Sequence, residues 1–203
     1  MIIRKLVAGD TQSFCDLIVN MYSDLENLEW FSPMPYDYDN VKSMIENPRF
    51  FIVGVFENET LCAVSSFDYK CGKLIGKIDF PAECNTEKLV EIGFTMVHSK
   101  FKGQGIMKTM VEFLVKKAHD DGFEWVFSKV HKDNFASSKS FQRKGFDIYC
   151  HYVKPINKKD FISLSSQEFF SKTGKENAKS TLDKFAEDEE IVVDYNILIK
   201  DLR

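Results

Sequence analysis

The sequence predicts an α/β fold in which short strands and amphipathic helices share one core. The chain has 203 residues, of which 44% are apolar and 29% are charged, a balance typical of a folded domain with a large core. Apolar runs of strand length are interspersed with segments whose apolar residues recur at helical spacing. Residues 91–117 combine both patterns around a glycine-containing loop, and this stretch is the most informative part of the sequence.

The first part of this central stretch, residues 91–97, is mostly apolar and contains the β-branched residues Ile92, Thr95 and Val97, which indicates a buried strand. A loop with Gly103 and Gly105 follows. Apolar residues then fall on one face of a predicted helix: Met107, Met110, Val111, Leu114, Val115 and Ala118.

A strand, a glycine-containing loop and a helix form a layout that suits phosphate binding. Glycines let the backbone approach a ligand, and the free N–H groups at a helix start attract an anion. Lys102 and Lys108 add positive charge on either side. Two commoner phosphate motifs are excluded, because GxGxxG needs a glycine where Lys108 stands and no Gly-Lys-Ser/Thr run is present.

The N-terminal half predicts a strand at 2–7 and then a helix capped by Asp10 or Thr11, whose apolar face carries Phe14, Leu17, Ile18 and Met21. A second helix is predicted to start at Asp39 or Asn40. Residues 50–56 and 61–69 form an expected pair of antiparallel strands. The segment 70–88 is either an added hairpin or flap, or a surface decoration.

The C-terminal half predicts strands at 123–130, 146–153 and 191–199. The polar segment between the last two strands contains a predicted helix start at 165–168 and a second polar helix at 178–187. It is expected to be an insertion.

Two segments resemble the acyl-CoA-binding motifs of the GCN5-related N-acetyltransferase (GNAT) superfamily. The loop pattern Arg/Gln-x-x-Gly-x-Gly/Ala falls on residues 102–107, with lysine at its first position and Met107 where a small residue is usual. The second pattern matches at Asn134, Ser137, Phe141, Gly145 and Phe146. Asp133 or Asn134 also suits a helix cap, and Gly145 a helix end, without any ligand.

The resemblance implies a single GNAT domain over residues 1–203, with insertions near 70–88 and 154–190. Its sheet would be mixed, mostly antiparallel and six- to seven-stranded, flanked by helices. The implied activity is transfer of an acetyl group from acetyl-CoA, as co-substrate, to a primary amine of a small molecule or protein. The implied acetyl-CoA contacts are Met96, Val97, Lys102, Gly103, Gln104, Gly105, Ile106, Met107, Lys108, Asn134, Ser137 and Phe141.

The resemblance also makes Glu91 the candidate base, six residues before Val97. In a regular strand that even spacing puts both side chains on one face, and burial beside Phe94 would raise the pKa of the carboxyl group. The alternative is an exposed strand-end carboxylate, or one paired with Lys88 or Lys100. In the family a tyrosine usually protonates the departing thiolate, and Phe141 occupies its position here. The alternatives are protonation by Ser140 or Tyr149, or departure of the thiolate without an acid.

Other side chains suited to catalysis give weaker signals. His98 and His131 are expected to face solvent or to bond backbone groups. Acidic residues (Asp24, Glu26, Glu29 and Glu83) favour a cationic acceptor such as a polyamine or an amino sugar. A CoA-binding sensor without turnover is the alternative function.

Composition bounds the remaining function classes. The net charge of −4 argues against a nucleic-acid partner, and no apolar run approaches membrane-spanning length. Five scattered cysteines without a C-x-x-C pair indicate neither a metal site nor a disulfide framework, so a reduced cytoplasmic location is expected. The sequence leaves a homodimer open.

Overall fold

The structure is a computed structural model that describes residues 1–24, 30–31, 34–71, 74–157 and 190–203. Its strands are β1 (Ile2–Lys5), β2 (Phe50–Glu57), β3 (Thr60–Asp68), β4 (Leu89–Val97), β5 (Trp125–His131), β6 (Asp147–Asn157) and β7 (Glu190–Asp201). Its helices are α1 (Thr11–Asp24), α2 (Tyr38–Glu46), α3 (Ile106–Asp120) and α4 (Phe135–Gln142).

The described strands form a seven-stranded sheet in the order β1-β2-β3-β4-β5-β7-β6. Neighbouring strands in this sheet are antiparallel apart from the parallel pair β4 and β5. The predicted mixed, mostly antiparallel sheet is thereby confirmed. The last strand, β7, lies between β5 and β6, so the two strands that end the chain pair with each other.

Helices cover both faces of the sheet. On one face, α1 and α2 bury apolar side chains against β2, β3 and β4, including Phe14, Ile18, Val41, Ile52, Val64 and Met96. On the other face, α3 and α4 pack on β4 and β5 through Val111, Leu114, Ala118, Phe141, Val90 and Val126. We call these the α1 face and the α3 face.

The helix starts differ from the predicted ones by a few residues. Asp37, rather than Asp39 or Asn40, caps α2, and its carboxylate accepts the N–H of Asn40 at 3.1 Å. Asp10 lies in a 3-10 turn before α1 and accepts hydrogen bonds from Arg4 at 2.7 Å and from the Val7 N–H at 2.9 Å. Asp10 therefore holds β1 to this turn and does not cap α1.

The described part of the inserted segment near 70–88 contains no hairpin, and most of its side chains are exposed, as the alternative of a surface decoration expects. Its β pairing consists of an isolated bridge between Ile75 and Ile78. Leu74 and Ile78 are buried against Phe127 and its neighbours on the α1 face of β5 and β7. The segment thus completes the core there, while the helices predicted at 165–168 and 178–187 lie outside the described residues.

Two further findings concern the described residues as a whole. None of their helices is long and apolar enough to cross a membrane. The five cysteines form no disulfide bond.

Candidate active site

A gap opens between β4 and β5 in the middle of the sheet. The parallel pairing runs from Leu89 beside Trp125 to Ile92 beside Ser128 and then stops. β4 continues to Val97 and β5 to His131, so the two strands separate at their carboxyl ends.

A β-bulge in β4 accompanies the separation. Ile92 pairs with Phe67 and Thr95 with Ser65, so β4 has one more residue than β3 in this interval. Gly93 lies within the bulge, and a Cβ atom at that position would be 2.8 Å from the Ser66 hydroxyl. A bulge bends its strand and increases the local twist, which here carries β4 away from β5.

The bulge corrects the prediction that Glu91 and Val97 share one face. Val97 packs beside Ile106 and Met110 of α3, whereas Phe94 and Met96 pack against α1. Glu91 alternates with Val90 and Ile92, both of which lie on the α3 face, so its side chain projects toward the α1 face. The extra residue reverses the alternation between Glu91 and Val97.

The gap exposes backbone groups of β4. The His98 N–H donates to Cys62 O on β3 at 2.9 Å, and Ala63 stands opposite Val97. Because backbone groups alternate along an antiparallel pair, the N–H and C=O of Val97 point away from β3 and into the gap. Those of Met96 point toward β3.

The loop before α3 presents a helix start with no side-chain cap. Gly103 and Gly105 have φ angles of 78° and 76°, a left-handed conformation that favours glycine. Gly105 is the N-cap of the 15-residue helix α3. The first N–H groups of this helix, at Ile106, Met107 and Lys108, therefore stand at its positive dipole end without a capping side chain.

The side chains of this loop leave those backbone groups uncovered. Met107 is partly buried and packs into the core of the α3 face. Lys102 forms an ion pair with Asp24 at the end of α1, and Gln104 donates to Lys100 O at 3.4 Å. Lys108 is exposed.

The second motif has an evident structural role in α4. Asn134 caps this helix, and its side-chain oxygen accepts the Ser137 N–H at 3.1 Å. Phe141 is 1% exposed and packs edge-on against Phe146 at 5.1 Å. Because β4 and β5 are parallel, the loops that lead into α3 and α4 leave the sheet at the same edge and flank the gap.

Glu91 lies on the α1 face next to the last paired residues. It stands opposite Asp68 on β3 and is 9% exposed, so the alternative of an exposed carboxylate is wrong. Lys88, one of the proposed partners, pairs with Glu124 instead. Burial, reinforced by the negative charge of Asp68, raises the pKa of Glu91 to about 7, against opposing effects of Lys129 and Arg49.

Three charged neighbours of Glu91 were not predicted. Arg49 donates to Asp68 at 2.8 Å, which fixes the carboxylate opposite Glu91. Lys129 lies on β5, two residues beyond Phe127, the partner of Glu91. Alternation within β5 indicates that Lys129 shares a face with Trp125 and Phe127, but only the register between β4 and β5 brings it beside Glu91.

The other polar candidates bond elsewhere. His98 and His131 each accept, through Nδ1, a hydrogen bond from the backbone N–H two residues further on, at 3.2 Å. Both histidines therefore bond backbone groups, which is one of the two arrangements expected from the sequence. The Ser140 hydroxyl donates to Ala136 O at 2.8 Å and the Tyr149 hydroxyl to Asp79 O at 2.7 Å.

Of the acidic residues expected to attract a cation, the two that the structure describes, Asp24 and Glu83, form no cluster. Asp24 is paired with Lys102. Glu83 lies near Arg203, whose guanidinium covers the Trp125 ring at the opposite end of β5. Glu26 and Glu29 lie outside the described residues.

Comparison with known proteins gives a consistent result. The protein-family model of the acetyltransferase (GNAT) domain matches residues 1–147 of this chain. No curated protein matches the sequence.

Solved structures share the fold over the whole chain. An N-acetyltransferase from Staphylococcus aureus Mu50 has a TM-score of 0.66 and 15% identity, covering 100% of this chain and 98% of that chain. The ribosomal-protein-alanine N-acetyltransferase from Brucella melitensis has a TM-score of 0.65 and 15% identity, and the match covers 100% of both chains. The protein yncA from Salmonella typhimurium, solved with its cofactor acetyl-CoA, has a TM-score of 0.65 and 14% identity. That match covers 100% of this chain and 94% of that chain.

Proposed function

The chain belongs to the GNAT acetyltransferase family, and we propose that it transfers the acetyl group of acetyl-CoA to a primary amine of a small molecule or protein. The observation that carries this proposal is the gap between β4 and β5, into which the Val97 backbone groups point. A gap of this kind gives a thioester access to both faces of the sheet.

Acetyl-CoA would lie across the edge where α3 and α4 begin. The N–H groups of residues 103–108 would hold the pyrophosphate, since those of residues 106–108 are uncapped and lie at the positive end of α3. The Val97 N–H would polarise the thioester carbonyl, a role that requires no particular side chain. Asn134 and Ser137 would border the cofactor beside the start of α4.

Glu91 would receive the proton of the attacking amine. An alkyl ammonium has a pKa of about 10, so the amine must lose a proton before it attacks. A carboxylate whose pKa is raised to about 7 is a stronger base than an ordinary glutamate and is still ionised above that pH. The acceptor amine would approach from the α1 face, toward which Glu91 projects.

The substitution Glu91→Gln tests this role. We expect kcat/KM for acetyl transfer to fall by about 10²-fold, the usual contribution of a positioned base, with an unchanged Kd for acetyl-CoA. Initial-rate assays and calorimetric titration measure the two quantities. Glu87→Gln, at an exposed position just before β4, is the matched control and should behave as the wild type. A transfer rate within a few-fold of wild type would remove Glu91 from the mechanism.

A second candidate function, CoA binding without turnover, is favoured by the buried Phe141, which cannot protonate a thiolate. Incubation with acetyl-CoA and a mixed amine library, followed by mass spectrometry of the products, separates the two functions. Acetylated amines support the enzyme. Saturable binding of acetyl-CoA without any acetylated product supports the sensor.

A further inference from the structure

The α1 face carries a cation at the mouth of the gap. Parallel pairing places Glu91 beside Phe127, and Lys129 follows two residues later on the same side of β5. The pairing with β4 has ended by that point, since Ser128 is the last paired residue of β5. Lys129 therefore lies beside the open part of the gap, next to the candidate base.

The surroundings of Lys129 leave its charge available to a ligand. Its Nζ atom lies 4.8 Å from the centre of the Tyr195 ring, a cation–π contact. No hydrogen bond or ion pair joins it to another side chain in the described part of the chain, although Glu91 attracts it over a longer distance. Burial lowers the pKa of Lys129, and an anion placed in the gap would raise that pKa again.

Aromatic rings flank the ammonium on the same side of the sheet. His131 lies edge-on to Tyr195 at 5.9 Å, and Trp30 lies 6.2 Å from His131. Apolar walls exclude water and strengthen any ion pair formed between them. A partly buried ammonium between such walls, with no carboxylate of the described residues in direct contact with it, is costly to retain unless a ligand pairs with it.

We propose that Lys129 binds an anionic group of the acceptor, so that the acceptor is a primary amine that carries a carboxylate or phosphate a few bonds from its nitrogen. This inference rests on the proposed acetyltransferase function and names its substrate class. Two residues along a strand span about 7 Å, which sets the approximate separation between an amine at Glu91 and an anion at Lys129.

This substrate class differs from the cationic acceptor predicted from the acidic residues. Asp24 is neutralised by Lys102, and Glu83 lies at the far end of β5. A polyamine would bring a second positive charge toward Lys129, and like charges at close range disfavour binding.

Matched pairs of amines test the proposal with the full-length protein and acetyl-CoA. The probes are 5-aminopentanoate and its amide, β-alanine and its amide, and 2-aminoethyl phosphate and ethanolamine, with putrescine as a dication. We expect kcat/KM to be about tenfold higher or more for an anionic member than for its neutral partner. Whether the carboxylates or the phosphate gain this preference identifies the anion.

Variants of Lys129 assign the preference to this side chain. Lys129→Met should raise KM for the favoured anionic probe about tenfold relative to KM for its neutral partner. Loss of this positive charge also raises the pKa of Glu91, but that effect acts on both probes alike and cancels in the ratio. Lys129→Arg should restore most of the preference. Lys132→Met, at an exposed lysine just past β5, is the control and should change nothing. Thermal unfolding shows whether each variant is folded.

The outcomes separate the two proposals. Equal or faster transfer to neutral or cationic amines would overturn the anion site and leave the acetyltransferase function standing. An equal loss for all probes in folded Lys129→Met would also overturn the anion site, because Lys129 would then act on the chemistry. Absence of transfer to any probe and to any amine of the mixed library would overturn both proposals.

Discussion

Below pH 7 the Glu91 carboxyl group is protonated in the folded protein, because burial raises its pKa from an ordinary 4.5 to about 7. In the unfolded chain the same group is ionised above about pH 4.5. Between these values the folded state binds more protons than the unfolded state, so stability falls as the pH rises through this window. The proposed role of Glu91 as a base requires the ionised form, so that role and stability demand opposite protonation states of this residue.

The free energy of unfolding should therefore fall by roughly 3 kcal/mol between pH 4.5 and pH 7 on account of Glu91 alone, at about 1.4 kcal/mol per pKa unit. Glu91→Gln should remove this decrease and be more stable than wild type at pH 8. Urea unfolding of both proteins at pH 5 and pH 8 measures how much the free energy of unfolding of each one changes with pH. Glu87→Gln should show the same change in unfolding free energy with pH as the wild type. If wild type and Glu91→Gln also show equal changes, the ionisation of a buried Glu91 is refuted.

The loop before α3 depends on backbone conformation rather than on side-chain packing. Gly105 has a φ angle of 76°, and a Cβ atom there would meet nothing within 4 Å. Gly105→Ala should therefore cost about 1 kcal/mol of stability through backbone strain alone. It should also weaken acetyl-CoA binding, because relief of the strain turns the first N–H groups of α3 away from the pyrophosphate.

Two other glycines provide matched controls for this loop. Gly122, in the turn after α3, has a φ angle of 84° and equally open surroundings, so Gly122→Ala should lose similar stability with unchanged acetyl-CoA affinity. Gly9→Ala has open surroundings without a left-handed φ and should lose little. Denaturant unfolding and calorimetric titration give the two quantities. Equal affinities of Gly105→Ala and Gly122→Ala would exclude the loop from the binding site.

At the level of elements, local patterns predicted the strands and helices well because each pattern depends on near neighbours. The predicted strand at 91–97 is β4 to within two residues, and the predicted strand at 191–199 lies within β7. Local patterns could not predict that β7 lies between β5 and β6, because this position depends on pairing between segments that are distant in the sequence.

The candidate site was predictable to a different degree from each of its parts. The glycines of the loop carry their own signal, and α3 begins directly after Gly105. Gly93 within a strand is a recognised sign of a bulge, yet the regular alternation assumed for Glu91 and Val97 overlooked it. The site cluster of Glu91, Asp68, Arg49 and Lys129 combines β3, β4, β5 and the residue before β2, so only the assembled sheet reveals it.

At the scale of the whole molecule, α1 is joined to the loop before α3. Asn20 on α1 accepts the Ser99 N–H at 2.9 Å and donates to the Ser99 hydroxyl at 3.2 Å. Asp24, one turn later, pairs with Lys102. The helix on the proposed acceptor side of the sheet is thus tied to the loop that would hold the cofactor on the other side.

This connection predicts that a change on α1 alters cofactor binding. Asn20→Ala removes both hydrogen bonds to Ser99 and should lower the free energy of unfolding by about 1–2 kcal/mol. It should also raise the Kd for acetyl-CoA about fivefold, because the turn Ser99–Phe101 sets the start of the loop. Gln12→Ala, which removes an exposed hydrogen bond to Asp16 on the same helix, should change neither quantity. If Asn20→Ala loses stability but binds acetyl-CoA as the wild type does, the turn is positioned without α1, and the two faces of the sheet act independently.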